Sequence, residues 1–271
     1  MTAAKVVLLT GASSGIGAEL VRTLARQGRR LILSARRVDR LEALASECRS
    51  LGAEVALIPA DLTDTNEPAR IVREAVATFG GLDVLINNAG YGLGKSFPEA
   101  DPADLVRQLD VNLVSPILMV RHALPSLSER RGTIVNVGSS ITAIAIPSFG
   151  VYGATKAGLA YFNDALRREL KGTGVRVCLV EPGPIRTEFL DVIEAQSNQE
   201  RPLWEVRPPA FINGRADDAA RRIARLIDHP RRRISMLRRV VWPLRIAGGL
   251  IRLFPAIGDM LIKTDHADRK P

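Results

Sequence analysis

Short runs of apolar, β-branched residues alternate along this chain with amphipathic stretches. The runs cover residues 5–10, 30–35, 54–59, 82–87, 132–137, 175–181 and 233–236. Several are continuously apolar, the pattern of strands covered on both faces in a parallel sheet. Between them, segments such as 17–27 and 40–51 place apolar residues at helical spacing. Strand–helix alternation repeated this often predicts an open α/β sheet with helices on both sides. Two regions break the rhythm. Residues 183–213 are rich in Pro, Gln, Asn and Arg. In such sheets a loop of this kind lies beyond the carboxyl ends of the strands, where ligands bind. The second region follows Met236.

The chain has 271 residues, 46% of them hydrophobic, enough for one sizeable core or two small ones. The first apolar run is only four residues, Val6 to Leu9, too short for a signal peptide or membrane anchor, so the expected location is the cytoplasm. Two distant cysteines, Cys48 and Cys178, read as buried thiols of a reducing compartment. The histidines, His122, His229 and His266, show no metal-ligand or triad spacing, and no metal is expected.

Charge changes the picture at one end. The net charge is +9, and residues 1–200 balance at 22 basic and 22 acidic side chains. Residues 201–271 hold 16 basic and 7 acidic, so the excess lies in the last quarter. In residues 237–262, Arg238, Arg245, Arg252 and Asp259 recur every seven residues among apolar ones. No charge-free run there exceeds six residues, which excludes a membrane span. Pro243, Gly248, Gly249 and Pro255 divide any long helix. Two readings stay open: an in-plane contact with anionic lipid, or a helical cap packed on the protein or a neighbouring subunit. The dense basic runs and stacking aromatics of a nucleic-acid binder are absent, and no nucleic acid is expected.

Candidate chemistry begins at the first strand, which runs into "TGASSGIG", Thr10 to Gly17. Glycines at 11, 15 and 17 allow a sharp turn and close approach of a pyrophosphate. A helix starting at about Ile16 turns its N-terminus toward the phosphates, and Ser13, Ser14 and Gly15 complete the loop. The spacing departs from G-x-G-x-x-G. The second strand ends in "LSARR", with Ala35, Arg36 and Arg37 where NAD binders place a carboxylate; the nearest acid is Asp39. A guanidinium suits a 2′-phosphate, so Arg36 argues for NADP(H) over NAD(H). Tyr152 and Lys156 stand four residues apart, one helical turn, among Gly153, Ala154 and Ala157.

"TGASSGIG", "NNAG" at 87–90, "SS" at 139–140, "YGATK" at 152–156 and "PGPIRT" at 182–187 follow in one order. Over residues 4–236 the chain resembles the short-chain dehydrogenase/reductase family, in its single-domain branch. The Tyr–Lys spacing differs from the longer one of bacterial enoyl reductases. The glycine spacing differs from that of the epimerase-like branch. The resemblance implies a Rossmann-like, doubly wound, seven-stranded parallel sheet. It places a catalytic and dinucleotide-binding domain over residues 1–236 and a basic amphipathic extension over 237–271. It implies a tetrad of Asn112, Ser139, Tyr152 and Lys156. Asp61 and Leu62 would flank the adenine. Asn88, Ala89 and Gly90 would line the ribose, and Pro182, Gly183, Ile185 and Thr187 the nicotinamide side.

The implied reaction interconverts an alcohol and a ketone or aldehyde. Tyr152 is its acid–base, Ser139 holds the substrate oxygen, Lys156 lowers the Tyr152 pKa together with an oxidised nicotinamide, and Asn112 helps carry a water-mediated proton path. The pocket is expected from residues 141–150, 91–97 and 184–212, where Ile185, Phe189, Leu190, Ile193 and Trp204 favour an apolar substrate, and Arg186 or Arg207 suit an anionic group. A homo-oligomer is the family default. The alternative is a cofactor-binding module acting through a membrane or protein contact without turnover.

Overall fold

The structure is a computed structural model that describes residues 4–143, 145–196, 214–236, 242–243 and 245–249. Trp204, Arg207, Arg238, Arg252 and Asp259 lie outside the described residues, as do His266 and most of 237–262.

Seven parallel strands form one sheet: β1 (Val6–Thr10), β2 (Arg30–Ser34), β3 (Val55–Leu57), β4 (Val84–Asn87), β5 (Thr133–Val137), β6 (Arg176–Glu181) and β7 (Arg233–Ser235), in the order β3-β2-β1-β4-β5-β6-β7. Each matches a predicted apolar run. β3 is the shortest relative to its run, because it is an edge strand and Pro59 has no amide to continue a ladder.

The helices are α1 (Gly15–Arg26), α2 (Val38–Ser50), α3 (Glu67–Phe79), α4 (Pro102–Leu109), α5 (Ser115–Glu129), α6 (Gly150–Glu169), α7 (Glu188–Gln196) and α8 (Ala216–Asp228). Strand side chains alternate between two apolar layers. Val7 and Leu9 of β1 pack with α1, α2 and α8 on one face. Val6 and Leu8 pack with α3, α5 and α6 on the other. All four are fully buried, and each such aliphatic side chain stabilises by about 1.5–3 kcal/mol. This two-sided cover is why β1 reads as continuously apolar. Cys48 and Cys178 are buried free thiols within the α1–α2–α8 layer.

The strand order reverses between β1 and β4, and at such a switch point the carboxyl ends of the strands open a cleft. The loops after β1, β2, β4, β5 and β6 meet there.

Candidate active site

The glycine loop is held by close contact with the segment after β4. Gly11 has φ +66°, and a Cβ there would lie 2.7 Å from the Ala89 Cα. A Cβ on Gly17 would lie 2.1 Å from the Gly11 carbonyl oxygen. Asn88 Nδ2 donates to the carbonyls of Thr10 and Gly11, both at 3.1 Å. Thr10 Oγ1 accepts from the amides of Asn88 at 3.1 Å and Ala89 at 3.2 Å. The loop carbonyls are thus turned onto Asn88, and Ser14 stands at the N-cap of α1. The first amides of a helix have no partner inside it and attract anions. The glycines let the loop pack closely on the segment after β4, and the helix N-terminus beside it fits a dinucleotide pyrophosphate.

At the adenosine end, Arg36 is exposed and makes no hydrogen bond or ion pair with the described residues. Arg37 reaches Ser13 Oγ instead, with Nε and Nη2 both at 3.4 Å. Its Nη1 donates to Glu188 at 2.6 Å. Asp61 is exposed just past β3 and accepts from the Thr63 amide at 3.1 Å. Leu62 is buried in the core layer of α3 and α5.

The tetrad residues converge from three elements. Ser139 follows β5 and stands near enough to the Tyr152 phenol to favour its charged form. The Lys156 Nζ lies 5.8 Å from the Tyr152 ring centroid and donates to the Val137 carbonyl at 3.0 Å. Asn112 sits in a π turn, Asp110–Val114, and is fully buried. Its Oδ1 accepts from the Tyr91 amide at 2.8 Å, and its Nδ2 donates to the Tyr91 carbonyl at 2.7 Å and Thr155 Oγ1 at 3.3 Å. Gly90 lies between them: a Cβ there would be 3.6 Å from Asn112 Oδ1 and 3.8 Å from Lys156 Nζ.

The expectation that Lys156 and an oxidised nicotinamide together lower the Tyr152 pKa concerns the loaded site; in the protein alone burial dominates both groups. Burial pushes the phenol up to about 12, against a smaller lowering by Ser139. Burial also pulls the Lys156 ammonium down to about 8. Desolvation works against both charged forms.

The segment after β6 closes this side. The Pro182 carbonyl accepts from the Ser140 amide at 2.9 Å, which joins the "PG" turn to the serine loop. Thr187 lies over the glycine loop, 3.3 Å from where a Gly15 Cβ would be. Ile185 is buried and bridges to Gly214. Gly183 lies partly exposed between Pro182 and Ile185. On α7, Phe189 stands 5.9 Å from the Tyr152 ring, and Phe149 stands 6.2 Å from it, edge-on. Ile193 is buried, and Cβ atoms on Gly92 and Gly94 would meet it at 2.5 and 2.7 Å. Of the expected pocket segments 141–150, 91–97 and 184–212, the first and last bring Phe149 and Phe189 to the Tyr152 ring, residues 92 and 94 pack against Ile193, and residues 197–212 lie outside the described residues. Arg186 is exposed.

Residues that sequence reasoning missed are Thr10, Thr155, Arg37 as the arginine reaching the loop, and Glu188. The first three sit inside or beside the motifs. Glu188 has no local signal, since its partners Arg37 and Arg40 are 151 and 148 residues away. Among the described residues, no group of three His, Cys, Asp or Glu side chains could hold a metal ion.

A family model described as short chain dehydrogenase matches residues 5–198. An 11-beta-hydroxysteroid dehydrogenase-like 4A of Arabidopsis thaliana is 38% identical over 67% of this chain and 61% of that protein. The chain thus matches less than two thirds of that relative's length. A serine 3-dehydrogenase of Agrobacterium fabrum is 36% identical over 72% of this chain and 77% of that protein. A short chain dehydrogenase/reductase from Burkholderia phymatum in complex with NAD superposes with a TM-score of 0.81 at 26% identity, covering 92% of this chain and 95% of that one. An actinorhodin polyketide ketoreductase variant with NADPH does so with 0.78 at 29%, covering 86% and 95%. The fold, the order of the motifs and these matches agree: the chain belongs to the short-chain dehydrogenase/reductase family.

Proposed function

We propose that this chain is an NADP(H)-dependent oxidoreductase that interconverts an alcohol and a ketone or aldehyde on an apolar substrate. The observation that carries the reading is the buried Lys156 ammonium, held by the Val137 carbonyl at 3.0 Å and 5.8 Å from the Tyr152 ring, with Ser139 beside the phenol. The nicotinamide, when bound, carries the hydride. Ser139 holds the reacting oxygen. In reduction the Tyr152 phenol gives that oxygen its proton, and in oxidation Tyr152 takes the proton back. A phenol pushed up to about 12 is protonated at neutral pH, the form that reduction needs. Asn112 fixes the Tyr91 backbone and, with Gly90, the approach to Lys156. Phe149, Phe189 and Ile193 support an apolar substrate.

The preference for NADP(H) is supported by Arg36 and Arg37 after β2, where no carboxylate stands before Asp39. The solved relatives carry NADPH in one case and NAD in another. Residues 1–236 form the catalytic unit in this reading, and 237–271 an extension. Assembly as a homo-oligomer is supported by exposed Val106 and Leu109 on α4 and Tyr161 on α6. Contact of the extension with a membrane surface is supported by Trp242 and Ile246, 65% and 50% exposed, while Arg245 turns inward onto buried Glu181.

Nicotinamide absorbance with a panel of apolar aldehydes and ketones tests the proposal. Tyr152→Phe should lower kcat by about 10²–10⁴-fold. Arg36→Asp should weaken NADPH about ten- to hundred-fold, the loss of a charge-assisted phosphate contact, and leave NADH nearly unchanged. Equal loss of both cofactors would defeat the 2′-phosphate assignment. Tight NADPH binding with no turnover on any substrate would favour a cofactor-binding module acting through its surface.

A further inference from the structure

Three separate segments meet at the adenosine edge of the cleft. Ser13 comes from the glycine loop, Arg37 and Arg40 from the start of α2, and Glu188 is the first residue of α7. Glu188 accepts from Arg37 Nη1 at 2.6 Å with one oxygen and from Arg40 Nη1 at 2.7 Å with the other. These short, charge-assisted bonds hold the Glu188 carboxyl below the usual carboxylate range, with the Arg37 bond the largest cause.

The other edge of the same Arg37 guanidinium is nearly unused. Among the described residues, its Nε and Nη2 meet only Ser13 Oγ, at 3.4 Å, the long limit of a hydrogen bond. An Nε–Nη2 fork is the geometry that takes two oxygens of one phosphate. Arg37 therefore faces the glycine loop with one edge and α7 with the other. Three arginines, 36, 37 and 40, stand there against Asp39 and Glu188, so the cluster keeps a positive balance for an arriving dianion. The element that Glu188 begins carries Phe189 and Ile193, which wall the space beside Tyr152.

We propose that Arg37 and Glu188 form a two-ended clamp. A ribose 2′-phosphate on the free edge of Arg37 fixes the guanidinium, which then holds Glu188 and keeps α7 closed over Tyr152. This rests on the NADP(H) reading and adds regulation to it, with Glu188 as a positioning residue. The physical cause is shared ordering. Whichever anion binds Arg37 first restrains a flexible side chain, and the second meets it already restrained. Linkage makes the effect reciprocal, so Glu188 also tightens binding of the phosphate.

Amide hydrogen exchange over residues 188–196 of the full chain tests this with 2′,5′-ADP, which carries the 2′-phosphate but no nicotinamide, against 5′-ADP. We expect 2′,5′-ADP to slow exchange across α7 about five-fold and 5′-ADP to leave it unchanged. Glu188→Gln, at a partly exposed position, should remove that protection. It should weaken 2′,5′-ADP by the same factor in calorimetry while 5′-ADP affinity stays constant. Tighter binding of 2′,5′-ADP than of 5′-ADP without protection of α7 would overturn the clamp. So would faster exchange on binding, or protection that survives in Glu188→Gln. Equal affinity for the two nucleotides would instead remove the NADP(H) reading, and the clamp with it.

Discussion

Lys156 keeps an ammonium in a site only 4% exposed. Its pKa falls from 10.5 to about 8, a difference of about 3 kcal/mol between charged and neutral forms. The sign follows from proton binding. Between pH 8 and 10.5 the unfolded chain holds this proton and the folded chain does not, so stability gained from this group rises with pH across that window. Below about 8 the burial cost is present in full. Lys156→Met should therefore melt higher than the parent at pH 7 while losing turnover, and the gap should close as pH rises toward 10.5. Thermal melts at several pH values check this. A gap that stays constant with pH would show that packing, not charge, separates the two proteins. Tyr152 works in the opposite direction: its pKa is raised from 10.0 to about 12, so its contribution is lost as pH climbs through that range.

At the scale of elements, the entry into α1 depends on missing side chains. The Gly17 Cβ position is blocked by a backbone oxygen at 2.1 Å, which no rotamer change relieves. Gly17→Ala should destabilise the protein by about 1–3 kcal/mol, the usual cost of overpacking, and separate the loop from Asn88. Chemical denaturation and NADPH fluorescence titration would show both losses together. A stable variant with normal cofactor affinity would mean that β1 and the loop can shift apart freely. The π turn at Asp110–Val114 is a second such device. It interrupts the α4–α5 helical run and lets Asn112 tie down both polar groups of the Tyr91 backbone.

At the scale of the whole molecule, residues 1–200 balance in charge and the basic excess lies after 200. The heptad of charges predicts a polar stripe on the extension, but at Arg245 that stripe faces the protein. Arg245 and Arg233 share the fully buried Glu181, at the end of β6 before the "PG" turn. Trp242 and Ile246 consequently face outward. Among the described residues no helix is long and apolar enough to cross a membrane. On the proposed membrane contact, deleting 237–271, with its seven basic and three acidic side chains, should abolish flotation with anionic liposomes and leave NADPH affinity within about two-fold. Retained flotation would place the membrane contact elsewhere, and binding absent from the full chain would favour packing.

The sequence by itself determined the seven strands, the two-sided sheet and the shared helix face of Tyr152 and Lys156. These follow from local order: apolar runs mark strands buried on both faces, and a four-residue spacing puts two side chains on one helix face. Glycines where a Cβ would strike the backbone mark the loop in the same local way. Only the tertiary structure decided that Arg37 reaches the loop while Arg36 stays exposed, and that Glu188 joins α7 to α2. It also decided that Ile193 covers Gly92 and Gly94, that Arg245 turns inward, and that desolvation governs the Tyr152–Lys156 pair. The longest of these contacts join segments far apart in the chain, 151 residues for Arg37 and Glu188 and 64 for Arg245 and Glu181. Periodicity encodes which face of an element is apolar. Which distant carboxylate, glycine or dielectric that face meets is set when the layers pack.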